Sequence, residues 1–268
     1  MKRGLCIVAF LVLAAQLSLW GYDTSPSREQ IIPEAVWAAA TGGGTWVTEI
    51  QITSLASTPA DVNVQFSYSG GIVGPFEVSH GLAQNQSVRF ANILATLDAL
   101  DSSGFVYYGR AGALWIQASN INSRIQVQAK TVNGNYGKTF PGLNIVAGHG
   151  AAYGRPMLIQ DLVQNSIYRT FVGAFNSDDL YSGVVNFRIV DAQGVQVGSV
   201  VEKTLLPLTF VSFNPFAAAG VPSGTYENCH LVIEVIMGGT GVYGLFCFGS
   251  IGNNYTNDTY ALIARMYN

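Results

Sequence analysis

The residues able to do chemistry are few, and their spacing suits none of the common reactions. His80, His149 and His230 are far apart, and none stands in a ligand spacing such as H-E-x-x-H. Ser250 lies in Phe248-Gly249-Ser250-Ile251-Gly252, which fails the G-x-S-x-G spacing of a nucleophile elbow; a strand end is the simpler reading. Gly42 to Gly44 are followed by neither Lys-Ser/Thr nor a helix start, so they form no phosphate cradle. Asn176, Asp178 and Asp179 could offer oxygen ligands to calcium, but Asn and Asp also cap turns through their own side chains, and turn chemistry is the stronger account. The expectation is a protein without catalytic, cofactor-binding or metal-binding residues, and not an enzyme.

Two other sets remain. Cys229 and Cys247 are the cysteines left after Cys6, and an even pair in an exported chain fits either a disulfide or two buried thiols. Simple pairing of 230–236 with 242–248 would not set them opposite each other, and a bridge needs close Cβ atoms, so both alternatives stay open. The aromatics Tyr107, Tyr108, Trp115, Tyr243, Phe246 and Phe248 include sequence neighbours, and adjacent strand residues point to opposite faces. One of each adjacent pair must leave its own core. It packs either into an interface between two units or into an exposed surface, for which Tyr107, Trp115 and Tyr243 are the candidates.

The elements that must position these residues come from an internal repeat. Laying Thr48 on Thr170 puts Ile50 on Val172 and Ile52 on Ala174, and Val62, Val64 and Phe66 then fall on Val185, Phe187 and Ile189. Val88 and Phe90 match Val211 and Phe213, and the offset moves only from 122 to 123. Trp46, Thr48, Ile50 and Ile52 alternate with Val47, Glu49, Gln51 and Thr53, the period of a half-buried strand. Further strands are expected at 62–68, 72–78, 86–93, 105–108, 114–118 and 125–132, then at 170–176, 184–190, 195–201 and 206–213, with short helical turns at 93–100 and 216–220. Residues 31–37 read as an extended edge segment. The predicted fold is all-β: two tandem β-sandwich units of Ig-like or jelly-roll-like build, 31–150 and 151–268, joined near 147–155.

At the N-terminus two cations precede an apolar run from Leu5 to Trp20, the pattern of a secretory signal peptide over 1–21, followed by a loose lead-in at 22–30. The mature chain holds no helical membrane span. Charged residues make up 11% of the 268, and the formal charge of −3 becomes about −5 without Lys2 and Arg3, which gives no electrostatic case for nucleic acid.

Ile32-Pro33-Glu34-Ala35, Gly42 to Gly44, Tyr168-Arg169-Thr170 with Asn176, and Phe140-Pro141 together resemble a widespread family of exported bacterial proteins built from paired β-sandwich repeats. The first unit departs from that pattern, with Trp46-Val47-Thr48 for aromatic-Arg-Thr and Ser54 for Asn. The resemblance implies the fold and carries over no catalytic residue. The expected role is a non-catalytic, exported cell-envelope protein, periplasmic, surface-bound or extracellular. It acts on protein partners or on itself as a structural subunit or interaction module, with self-assembly as the bolder form. The alternative is a carbohydrate-binding or adhesive module that takes glycans on exposed aromatics.

Overall fold

The structure is a computed structural model that describes residues 24–40, 43–145, 150–238, 244–256 and 258–266. Strands fill most of it, and every ladder is antiparallel. The first half contains β1 (Glu29–Ala39), β2 (Thr45–Ser54), β3 (Ala60–Tyr68), β4 (Gly71–Leu82), β5 (Ser87–Phe90), helix α1 (Ile93–Leu100), β6 (Arg110–Ala118), β7 (Ile125–Asn133), β8 (Tyr136–Pro141) and β9 (Leu143–Asn144). The second contains β10 (Met157–Gln164), β11 (Tyr168–Asn176), β12 (Gly183–Val190), β13 (Val201–Leu205), β14 (Phe210–Phe213), helix α2 (Pro215–Ala218), β15 (Tyr226–Gly238), β16 (Leu245–Asn253), β17 (Thr259–Ile263) and β18 (Arg265–Met266).

Strand order is the same in both halves. The run β4-β3-β6-β1 of the first answers to β13-β12-β15-β10 of the second, and the run β5-β2-β7-β8 answers to β14-β11-β16-β17. Register agrees residue by residue: Ile50 pairs with Phe90 and Ile52 with Val88, while Val172 pairs with Phe213 and Ala174 with Val211. These are the positions superposed by the sequence alignment. The two aligned threonines are buried and do the same job. Thr48 Oγ1 accepts from Val36 N (2.8 Å) and donates to Val36 O (3.4 Å); Thr170 Oγ1 accepts from Val163 N (3.0 Å) and donates to Val163 O (2.6 Å). In each half a buried hydroxyl thereby satisfies a strand amide and carbonyl where the two layers diverge. In the first half the ladder Trp37–Ala39 against Thr45–Val47 also joins the layers, making one nine-stranded sheet; in the second half the corresponding strands lie in separate sheets.

The alternation read from sequence places Ile50, Ile52, Val62, Val64 and Phe66 in the first core, with Ile93, Leu94 and Leu97 of α1 closing it. Asn92 caps α1 by accepting from Ala95 N, and Asn214 caps α2 by accepting from Ala217 N. The second core is built on Val172, Phe187, Ile189 and Phe248, and it takes in Ile31, Phe140 and Leu143 from the first half. The Phe140 and Phe248 rings meet edge to face at 5.3 Å, so the halves share an apolar seam.

Several expectations need correction. Residues 31–37 belong to β1, which lies between β6 and β2 and is no edge. The lead-in is ordered before residue 31: Gln30 is fully buried and its Oε1 accepts from Val127 N at 2.7 Å. Residues 105–108 form no strand, because Gly104 and Gly109, both at positive φ, bracket a loop. Residues 195–201 are not a strand either: Asp191 Oδ1 takes the amides of Gln193 and Val195 into a turn, and the chain is extended again only from Val201. Part of the 147–155 join, and the whole leader, lie outside the described residues. Among the described residues no helix is long and apolar enough to cross a membrane.

Candidate functional site

A cleft of about 300 Å³ opens where β1, β7 and β8 of the first half meet β11, β14, β16 and β17 of the second. Its charge begins in β1. Glu34 lies within an apolar run, at the register shift between Ile32 and Ala35, and a carboxylate so placed must find a partner. The partner is Lys138 on β8, whose Nζ is 2.7 Å from each carboxylate oxygen and also donates to Ser250 Oγ of β16 at 2.7 Å. Only 8% of the lysine and 10% of the glutamate side chain is exposed. Lys138 Nζ also lies 5.6 Å from the Phe140 ring centroid. This charged contact therefore spans both halves.

A second cation stands at the other wall. Arg169 of β11 donates through Nη1 to Asn254 Oδ1 (2.7 Å) and Asn253 O (3.5 Å), and its guanidinium lies 5.8 Å from the Phe171 ring centroid. Gly252 lies beside it: a Cβ there would stand 3.8 Å from the Arg169 Cζ, an ordinary contact. Trp46, Val36 and Phe210 supply apolar wall, and Thr131, Ser212 and Thr259 supply hydroxyls. Thr259 Oγ1 is buried and has no hydrogen-bond partner among the described residues, a rare condition for a polar atom in a folded protein. Cavities of this size with mostly apolar walls and a few placed polar groups suit small organic ligands.

The residues singled out from sequence fall elsewhere. Tyr107 is fully buried: its ring packs beside Phe66 and Phe105, and its hydroxyl donates to Asp101 Oδ2 at 3.0 Å. Burial pushes that phenol's pKa well up, with Asp101 adding to the shift. Of the adjacent pair it is Tyr108 that leaves the core, lying edge-on to Trp37. Trp115 is half-buried, and its indole N–H donates to Glu29 Oε2 at 3.2 Å. Tyr243 lies outside the described residues, so no surface joining Tyr107, Trp115 and Tyr243 is seen. Phe246 and Phe248 are buried in the second core, and Phe248 reaches the seam.

Cys229 and Cys247 are not bridged. Cys229 is on β15, opposite Leu162, and Cys247 is on β16, opposite Ala174, in a different sheet. Burial raises both thiol pKa values, and Asp191 adds to the rise at Cys229. Asn176 and Asp178 do turn chemistry: Asn176 Nδ2 donates to the carbonyls of Tyr181, Leu205 and Leu206, and Asp178 Oδ1 accepts from Leu180 N and Tyr181 N. His149 lies outside the described residues.

One cluster escaped sequence reasoning. His80 Nδ1 lies 2.8 Å from Asp61 Oδ1 and 3.1 Å from Glu77 Oε1, so the three could share one cation. Residues three apart on a strand normally face opposite ways; a bulge in the β3–β4 ladder between Asn63↔Glu77 and Val62↔Ser79 brings Glu77 and His80 to one side. His80 is 83% exposed, and its close polar contacts with Asp61 and Glu77 account for the geometry. Arg169, in contrast, had a sequence signal as the centre of Tyr168-Arg169-Thr170. Lys138 had none beyond the scarcity of charge.

Fold and cleft together define an all-β sandwich protein with a ligand-sized cleft at the junction of its halves. Among solved structures the chain is similar to an α-L-rhamnosidase of Streptomyces avermitilis complexed with L-rhamnose. Identity is 11% and the TM-score 0.25 over 92% of this chain, which spans 27% of that one. It is also similar to a Pleurotus ostreatus lectin in its apo form, at 12% identity and a TM-score of 0.22, over 94% of this chain and 82% of the lectin. At that level of similarity nothing about either protein's ligand transfers. No family model and no curated protein matches the chain.

Proposed function

We propose that this chain is a non-catalytic, exported binding module that takes a sugar into the cleft between its halves. The observation that carries the reading is the composition of the walls: aromatic faces from Trp46 and Phe171 stand beside hydroxyls and one anchored guanidinium. A sugar presents an apolar C–H face with hydroxyls around its rim, and stacking plus peripheral hydrogen bonds is how a protein holds one. Of the lining residues, the one carboxylate is Glu34, held by Lys138 on both oxygens, so the cleft offers no pair of free acids for glycoside hydrolysis. The test is a glycan array on the purified chain followed by calorimetric titration of the hits. Phe171→Ala and Trp46→Ala should each weaken binding about tenfold, equivalent to about 1.4 kcal/mol. Binding indifferent to both, or no glycan bound at all, sinks the reading.

A protein-interaction role is favoured by a separate feature. Leu180, Tyr181, Leu206 and Met237 are all more than half exposed and gather at one end of the second half, around the Gly183 pairings with Leu205 and Gly238. Strand addition is the less favoured form of it. The long edge β4 carries Pro75 and bulges, β13 is five residues with Glu202 and Lys203, and β8 and β17 approach each other. Light scattering across a concentration series separates the two readings: growth abolished by Met237→Glu and Tyr181→Glu supports association, and a constant monomer mass counts against it.

A further inference from the structure

We infer that the cleft selects an acidic sugar, one carrying a carboxylate such as a uronic acid, and that Arg169 is the residue that receives the carboxylate. The inference rests on the saccharide reading of the cleft and adds the charge of the ligand.

The charge balance of the cleft points this way. Lys138 is neutralised by Glu34, with both carboxylate oxygens at 2.7 Å. Arg169 is not neutralised: no carboxylate of the described residues lies within ion-pair distance of it, and its bonds go to neutral oxygens of Asn253 and Asn254. The cleft thus carries one net positive charge in a chain whose formal charge is −3. Surface charge alone would mean little, but this guanidinium is held in place. Nη1 is fixed by Asn254 Oδ1 at 2.7 Å, and the guanidinium carbon lies 5.8 Å from the Phe171 ring centroid. Its Nε–Nη2 edge makes no hydrogen bond to the described residues. That edge is the fork that takes a carboxylate through two parallel N–H···O bonds. A sugar whose C–H face lies on Phe171 brings a substituent of its ring within reach of the same residue's neighbour on the guanidinium side. A carboxylate there gains a charge-assisted bidentate contact that a hydroxymethyl group cannot make.

The test titrates the purified chain with methyl D-galacturonoside and methyl D-glucuronoside, with the matching neutral galactoside and glucoside, and with the methyl esters of the two acids. At least one acid should bind tenfold or more tightly than both its ester and its neutral counterpart, and that margin should shrink as salt is raised from about 50 to 500 mM. Arg169→Gln should erase the margin and Arg169→Lys should restore part of it. Equal binding of acid, ester and neutral sugar overturns the inference and leaves the saccharide reading standing. Binding of none of them overturns both. The ester comparison uses the unaltered protein, so a variant that fails to fold does not rescue the idea.

Discussion

Replacing Glu34 by alanine tests the account of the seam most directly. In the native protein its carboxylate meets Lys138 Nζ at 2.7 Å on both oxygens, with side-chain exposures of 10% and 8%. An ammonium left alone at that depth loses its counter-charge, and breaking one side of a buried pair costs about 3–5 kcal/mol. Lys138 keeps its bond to Ser250 Oγ and lies over the Phe140 ring, which places the loss near the lower end, about 3 kcal/mol. An apolar double replacement, Glu34→Leu with Lys138→Met, removes both charges and their desolvation, so it should fall within about 1 kcal/mol of the native chain. Urea unfolding of the native chain, Glu34→Leu, Lys138→Met and the double variant closes the thermodynamic cycle, with Glu34→Ala measured beside them, provided the slopes agree. A Glu34→Ala loss under about 1 kcal/mol would refute the reasoning, because it is the value of a solvated surface pair.

Three further outcomes are expected. Thr170→Val should destabilise by about 1–3 kcal/mol through the orphaned Val163 amide and carbonyl, and Thr48→Val by at least as much, since Thr48 Oγ1 also meets Thr131 Oγ1 at 2.9 Å; urea midpoints check both. Cys229 and Cys247 should resist a thiol reagent at pH 8 in the native protein and react once it is unfolded in urea, and rapid labelling of the native chain would contradict their burial. Because the folded state raises these thiol pKa values, the unfolded chain ionises first. Their contribution is full below the ordinary thiol value of about 8.5 and is lost as pH rises through the folded value, so stability should decline from pH 8 to pH 10, less steeply in Cys247→Ala.

The strands were legible wherever a single chain carried its own evidence. Alternation in Thr48, Ile50 and Ile52 gave burial, and alignment of those residues on Thr170, Val172 and Ala174 gave matching register. The helical turn expected at 93–100 is α1, and only the structure shows the Asn92 cap that starts it. Where local pattern competed with a glycine or a carboxylate, it misled. Gly104 and Gly109 turned Tyr107 inward and Tyr108 outward, and the Asp191 carboxylate coiled residues that read as strand.

By itself the sequence determined the all-β class, the strand periods and the short helical turns, because each depends on residues close together in the chain. The tertiary structure alone decided the cleft. Lys138 and Ser250 are 112 residues apart, and a bulge at Glu34 sets the direction of its carboxylate. Direction at a bulge and proximity across a seam are fixed by how sheets pack, and no periodicity along the chain records them.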